Sequence, residues 1–223
     1  MSELEMAAGS GHTIAAHGVA AHAAPHAVAM EPSPYRVGSG KMAMWLFIIA
    51  DAATFGACLF VYGFLRLTSP DWVRPFAFSP TIINGMIMTF VLLTSSLTML
   101  GAVLAAKAGR TSSCLNWLGA TILLGIIFAV LHLREWSGMI REGWRPFQNP
   151  MGGSVQFGAA FFSITGLHLL HVISGVVAIA VIAIGYKRGR FQASNVEVTG
   201  LYWHFVDLVW MFVFPLLYLL NSH

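Results

Sequence analysis

Two carboxylates stand in apolar surroundings where a charge is expensive. Asp51 lies in the run that follows Lys41, and Asp207 lies in the last run of the chain. An unpaired carboxylate at the centre of a spanning helix costs at least ~2.5 to 3.5 kcal/mol even on the lenient insertion scale, so each of them requires a reason. Asp51 is ten residues beyond Lys41. At ~1.5 Å of rise per residue it sits about 15 Å down a helix, near the midplane of a bilayer. Ala50, Thr54 and Cys58 form a row of small residues beside it, the pattern that lets another helix approach closely, so the acid is expected to face protein. A carboxyl group held away from water can exchange its proton with a neighbour. The alternative is a structural acid that ties two helices together.

His204 precedes Asp207 by three residues, on the same helical face and within reach of an ion pair or hydrogen bond, and the two are read first as a satisfied polar clamp between helices. Tyr202 and Trp203 suit an interfacial aromatic belt at the start of the fifth apolar run. His168 and His171 share a face in the middle of the fourth run, flanked by Gly166 and Gly175, where the helix is thin. Axial haem ligation opposite His132 or His204 is one chemistry open to them, and hydrogen bonding between helices is the other. Glu135, between Arg134 and Trp136 at the end of the third run, makes an aromatic and charged cluster suited to the membrane surface, where it would contact lipid headgroups or anchor the helix. His12, His17, His22 and His26 could hold a transition metal loosely. Nothing preorganises them, so a solvated segment is expected and no metal site is assigned. No phosphate loop, HExxH or nucleophilic triad is present, and no catalytic residue is assigned to the chain.

The elements that must position these residues follow from composition. Of 223 residues, 57% are hydrophobic and 9% charged, against ~25% charged in an average soluble domain. An ordinary soluble domain is excluded. The net charge of +3 comes from dispersed basic residues, which gives no footprint for nucleic acid. Cys58 and Cys114, too far apart for a CxxC pair, read as small buried hydrophobes. Five apolar stretches, at about 42–65, 82–106, 114–133, 155–186 and 201–220, each meet the ~20 residues needed to cross the hydrocarbon core. The fold class is therefore all-α, an integral membrane bundle of five transmembrane helices.

Residues 1–41 read as a mobile Ala- and His-containing tail, and residues 42–223 as the transmembrane domain. Histidine and glycine interrupt the tail, so signal-peptide cleavage is not expected. Seven basic residues fall on the tail's face of the membrane and five on the other, which places the N-terminus in the cytoplasm and the C-terminus in the periplasm.

Four strings, KMAMWLFIIADAATF (41–55), LHLREW (131–136), FFSITGLHLLHVISG (161–175) and GLYWHFVDLVWMFVFPLLYLL (200–220), resemble, in order and spacing, subunit III of the haem-copper respiratory oxidases. The resemblance covers about 41–220. It implies an accessory subunit, in five-helix form, of a proton-pumping terminal oxidase that reduces O2 to water in aerobic respiration, of the cytochrome c type. Haem and copper are then expected in partner subunits and none on this chain, with phospholipid as a bound component. The family's carbodiimide-reactive intramembrane acid maps to Asp51. Its signature histidines and acids map to His168, His171, His204 and Asp207, the acid before the final helix to Glu197, and the acid of a Q-x-x-E-Y-like string to Glu135. Family subunits hold lipids in a cleft and sustain proton uptake into the catalytic subunit.

The implied partners are subunit I above all, subunit II, a small subunit IV, membrane lipid and a respiratory supercomplex, in a bacterial inner membrane. Two departures bear on this. Longer members have seven helices, so the first two are absent here. The carboxylate is Asp where many cytochrome c oxidases carry Glu, as in five-helix quinol oxidase members with a histidine-bearing tail, so the electron donor stays open. Accessory subunits of nitric oxide reductase lie in the same family, and a stand-alone transporter or proton channel built on Asp51 is the remaining alternative.

Overall fold

The computed structural model describes residues 38–70, 72–73, 76, 81–152 and 155–221. The tail reading of residues 1–37, with its four histidines, lies outside them. Five helices make up the described chain: α1 (Ser39–Thr68), α2 (Ile83–Lys107), α3 (Thr111–Arg141), α4 (Gln156–Lys187) and α5 (Ala193–Leu217), followed by a short 3-10 turn at Leu219–Asn221. All five are long and apolar enough to cross a membrane. The chain is a multi-pass membrane protein.

Each helix differs in extent from the apolar run that announces it. Hydropathy marks the part of a helix that matches lipid, while the hydrogen-bonded ladder continues into polar sequence. α1 begins at Ser39, α3 continues through Arg134, Glu135 and Trp136 to Arg141, and α5 begins at Ala193 rather than at 201. Gln192 starts α5 because its backbone N–H donates to Asn195 Oδ1 at 2.9 Å, half of a reciprocal capping box.

The short connections after α2 and α4 depend on glycine. Gly109 and Gly189 both take φ of 70°, and the amides of Arg110 and Arg190 reach back to the carbonyls of Ala105 and Gly185. This is the Schellman closure, in which the residue after the helix enters the left-handed region that glycine alone adopts without strain. Each helix is thereby reversed in a few residues and the next packs against it antiparallel.

α2, α3, α4 and α5 pack in a ring, each touching its two neighbours, and α1 lies outside against α4 and α5. α1 is the least covered of the five. Trp203 of α5 fills the centre of the ring, with its indole against Gly125 of α3 and Gly175 of α4; a Cβ on either glycine would approach the ring within 3 Å. Trp203 Nε1 donates to Ser95 Oγ of α2 at 3.1 Å, so one side chain touches all four helices of the ring. The interfacial belt expected for Tyr202 and Trp203 is thereby corrected. α5 starts two turns earlier than its apolar run, which moves both rings into the protein, where they are buried.

The two ends of the bundle are tied differently. At the end where α1 and α5 begin, Glu197 Oε1 accepts from Lys41 of α1 at 2.8 Å and from Lys107 of α2 at 3.0 Å. Glu197 thus lies within α5, not before it. At the opposite end, Asn221 is fully buried. Its side-chain amide donates to the Tyr62 hydroxyl and its Oδ1 accepts from Trp72 Nε1, while Tyr62 in turn donates to the Leu216 carbonyl at 3.0 Å.

Candidate functional site

α1 bears Asp51 on the side that meets α4, where its Oδ2 lies 3.2 Å from His171 Nε2. The small-residue row expected to seat a neighbouring helix does not do so within the chain, because Ala50 and Thr54 are exposed and Asp51 is turned away from them. The opposite ring nitrogen of His171, Nδ1, is 2.8 Å from the Leu167 carbonyl. A carbonyl can only accept, so Nδ1 carries a proton and donates to it. The Asp51–His171 contact then holds one further proton, either on Nε2 donating to a carboxylate or on the carboxyl group donating to a neutral imidazole. Both arrangements have zero net charge, which keeps the pair tolerable in an apolar surrounding.

Phe55 of α1 covers this pair, with its ring centroid 5.2 Å from that of His171. Behind it Ser174 and Tyr202 close the contact: the two hydroxyls are 2.7 Å apart, and the Tyr202 hydroxyl also reaches the His171 carbonyl at 3.3 Å. The site is therefore built from α1, α4 and α5 together. Neither partner is sealed off, since 20% of the Asp51 side chain and 15% of the His171 side chain remain accessible.

His168 and His171 do not share an environment. Residues three apart on a helix diverge by about 60°, and here each takes a different side. His168 turns into the ring, fully buried, stacked on Trp210 at 5.1 Å and edge-on to Phe128. His132 of α3 packs against the same two rings. Neither nitrogen of His132 or of His168 has a hydrogen-bond partner among the described residues. The four histidines considered as ligands are thus distributed, with His171 on Asp51, His204 on Ser96, and His132 and His168 in the aromatic core. No group of three or more His, Cys, Asp or Glu side chains converges as a metal site among the described residues.

His204 and Asp207 do not pair with each other. His204 Nδ1 lies 2.6 Å from Ser96 Oγ of α2, the same hydroxyl that neighbours the Asp207 carboxyl group. Both reach across to α2, a polar clamp between helices, and the contact within α5 is not made. Nothing in α5 alone identifies Ser96 as the shared partner.

Glu135 lies six residues inside the end of α3, half-buried, past the apolar run that the helix outlasts. Its Oε2 accepts from Asn84 Nδ2 at 3.2 Å, and the buried Tyr218 hydroxyl faces the same carboxyl group. Trp136 turns inward as well, donating from Nε1 to Thr165 Oγ1 at 3.2 Å and packing on Phe162.

The chain matches the cytochrome c oxidase subunit III family over residues 34–222. Cytochrome c oxidase subunit 3 of Alkalihalophilus pseudofirmus is 36% identical over 138 residues, 60% of this chain and 65% of that protein. A heme-copper oxidase subunit I+III of Aeropyrum pernix is 31% identical over 200 residues, 85% of this chain and 24% of that protein. The cytochrome bo(3) ubiquinol oxidase subunit 3 of Pseudomonas aeruginosa is 30% identical over 191 residues, 83% of this chain and 87% of that protein. The aligned part of the chain thus spans just under two thirds of the first relative and about a quarter of the second. The match runs through all five helices and takes in both Asp51 and His171, and the chain belongs to the cytochrome c oxidase subunit III family.

Proposed function

We propose that this chain is the accessory subunit III of a proton-pumping haem-copper terminal oxidase, and that it supports O2 reduction to water without carrying the redox centres itself. The observation that carries the functional part is the Asp51–His171 pair, a proton-sharing contact that stays neutral overall at mid-helix on the least covered helix of the bundle. In this reading α1 docks on subunit I, the pair tunes proton supply to it, and haem and copper reside in the partner subunits. Subunit II, a small subunit IV and membrane lipid complete the assembly, which takes part in a respiratory supercomplex. The chain resides in a bacterial inner membrane with its N-terminus cytoplasmic, as the seven-to-five division of basic residues supports.

The relatives' names fall into cytochrome c and quinol types. The cytochrome c type is the first reading. The quinol type is the second, favoured by the longer alignment with the Pseudomonas aeruginosa protein. Tagging the chain in its native membrane, purifying gently in mild detergent and recording the optical spectrum and O2 uptake with each donor decides between them. Co-purified haem-copper partners with O2 uptake support the proposal, and the preferred donor names the oxidase. Nitric oxide reduction in place of O2 uptake moves the chain to a reductase. A colourless chain emerging alone contradicts the proposal and turns attention to ion flux.

A further inference from the structure

The Asp51–His171 pair is not the only polar contact held at mid-height in the bundle. Ser96 stands near the middle of α2, and His204 and Asp207 near the middle of α5. The Ser96 hydroxyl is shared between them: His204 Nδ1 lies 2.6 Å from it, and the Asp207 carboxyl group neighbours it. Asp207 is buried, whereas Ser96 and His204 are half-buried at the outer edge of the α2–α5 contact. The hydroxyl carries a single hydrogen, and beyond these two groups nothing among the described residues accepts it.

An uncompensated charge at this depth is costly, so the three side chains hold their protons in one of two balanced ways. In the first, Asp207 is a carboxylate that accepts from Ser96, and the Ser96 oxygen accepts from Nδ1 of an imidazolium. In the second, Asp207 keeps its proton and donates to Ser96, which donates to Nδ1 of a neutral imidazole. Both ring nitrogens carry hydrogen in the first arrangement, and Nε2 alone carries it in the second. Nε2 of His204 is therefore a donor in either case. The bond at Nδ1 is the only hydrogen bond of this imidazole among the described residues. The Nε2 hydrogen is left without an acceptor at a depth that neither water nor a lipid headgroup supplies.

The surface around the imidazole is apolar. Leu93, Leu97 and Leu100 share the helical face of Ser96 on α2, and Leu208 and Met211 share that of His204 on α5; all five are exposed. Two apolar ridges with one donor between them match a third helix, which packs along both ridges and brings a polar oxygen within an apolar run. We infer that the α2–α5 face seats a transmembrane helix of a partner subunit, and that this helix offers a side-chain acceptor, a carboxyl, amide or hydroxyl oxygen, to His204 Nε2. The inference rests on the reading of the chain as one subunit of a membrane complex. It adds a second seam to the one assigned to α1.

The test uses the whole complex in its native membrane, with a photoreactive benzophenone amino acid in place of Leu97, and, in separate preparations, His204→Leu or His204→Gln. Glutamine reaches about as far as Nε2 and keeps an N–H donor, while leucine keeps bulk and loses it. Irradiation is expected to link position 97 to a membrane-spanning segment of a co-purified subunit that carries Asp, Glu, Asn, Gln, Ser or Thr at the linked turn. That subunit is expected to survive detergent washing several-fold less well with His204→Leu than with the wild type, and His204→Gln is expected to restore it. Adducts to lipid or quinone alone, or to a segment without such a side chain, overturn the inference. Equal retention in all three chains overturns it too, as does equal loss in both variants. The crosslink is read with His204 in place, so it decides the face even where His204→Leu fails to fold. Haem content of the linked complex reports separately on the proposed function: a linked complex without haem contradicts the oxidase reading, while the linked segment still decides the seam.

Discussion

The Asp51 carboxyl group of α1 and the His171 imidazole of α4 meet at 3.2 Å, with the other imidazole nitrogen committed to the Leu167 carbonyl. Removing one partner leaves the other as an uncompensated polar group, and removing both does not. Asp51→Ala and His171→Ala are each expected to weaken retention of the subunit, with the double variant less damaged than the sum of the two. The coupling is expected at about 0.5 to 3 kcal/mol, as for residues in direct contact. Thermal release of the subunit from the purified complex measures it, and strict additivity would separate the residues energetically.

Trp203 holds the ring of helices together through the space that Gly125 and Gly175 leave for it. Trp203→Ala is expected to destabilise the fold by about 3 to 5 kcal/mol, as for large core truncations. Gly125→Ala, whose new Cβ would meet both the indole and Val176 at 2.7 Å, is expected to cost about 1 to 3 kcal/mol by overpacking. Thermal midpoints of the detergent-solubilised chain report both, and a wild-type midpoint for Gly125→Ala would mean that the indole has room to shift.

The Asn221 end is fastened by hydrogen bonds rather than by charge. Tyr62→Phe deprives the buried Asn221 amide of one of its two acceptors, the Leu217 carbonyl remaining, and removes the donor to the Leu216 carbonyl. A loss of about 1 to 3 kcal/mol is expected from the group left unsatisfied. Limited proteolysis beyond Leu217 is expected to accelerate in this variant, and unchanged cleavage would show the last turn to be held by packing alone.

Glu197, bridged to Lys41 and Lys107, is the opposite case. Its partners are accessible to solvent, and salt screens such contacts over about 8 Å at physiological ionic strength. Glu197→Gln is expected to lower the thermal midpoint at low salt and to match the wild type at high salt. A large deficit at high salt would assign the residue more than a surface clamp.

Orientation is open to direct chemistry. In a chain with Cys58 and Cys114 replaced by Ser, Arg188→Cys is expected to react with a membrane-impermeant thiol reagent from the cytoplasmic face. Labelling from the periplasmic face would invert the proposed topology.

Much of this was legible from residue type alone. The five helices were visible because each needs a run of apolar residues to cross lipid, and Asp51 stood out because a carboxylate inside such a run is rare. The helix ends were hidden by the same signal, since α3 and α5 continue into sequence that hydropathy scores as outside. Glu197 and Trp203 were displaced outward for that reason. Partners across helices were hidden more deeply. Nothing within α4 announces that His171 turns to α1 while His168 enters the aromatic core, because that choice is made by Asp51, Phe55, Phe128 and Trp210 on three other helices. Gly166 and Gly175 were recognised as thin places, but the rings that fill them, Trp136 and Trp203, come from elsewhere.

In the proposed function the proton shared by Asp51 and His171 supports sustained turnover of the oxidase. Asp51→Asn keeps size and hydrogen bonding but cannot exchange a proton in the same way, so it separates chemistry from packing. In the purified complex, with subunit content verified, the number of turnovers before inactivation and the protons pumped per electron are the quantities to measure. An initial O2 reduction rate near that of the wild type is expected, followed by inactivation after several-fold fewer turnovers. Unchanged assembly, proton pumping and turnover lifetime in Asp51→Asn would contradict it.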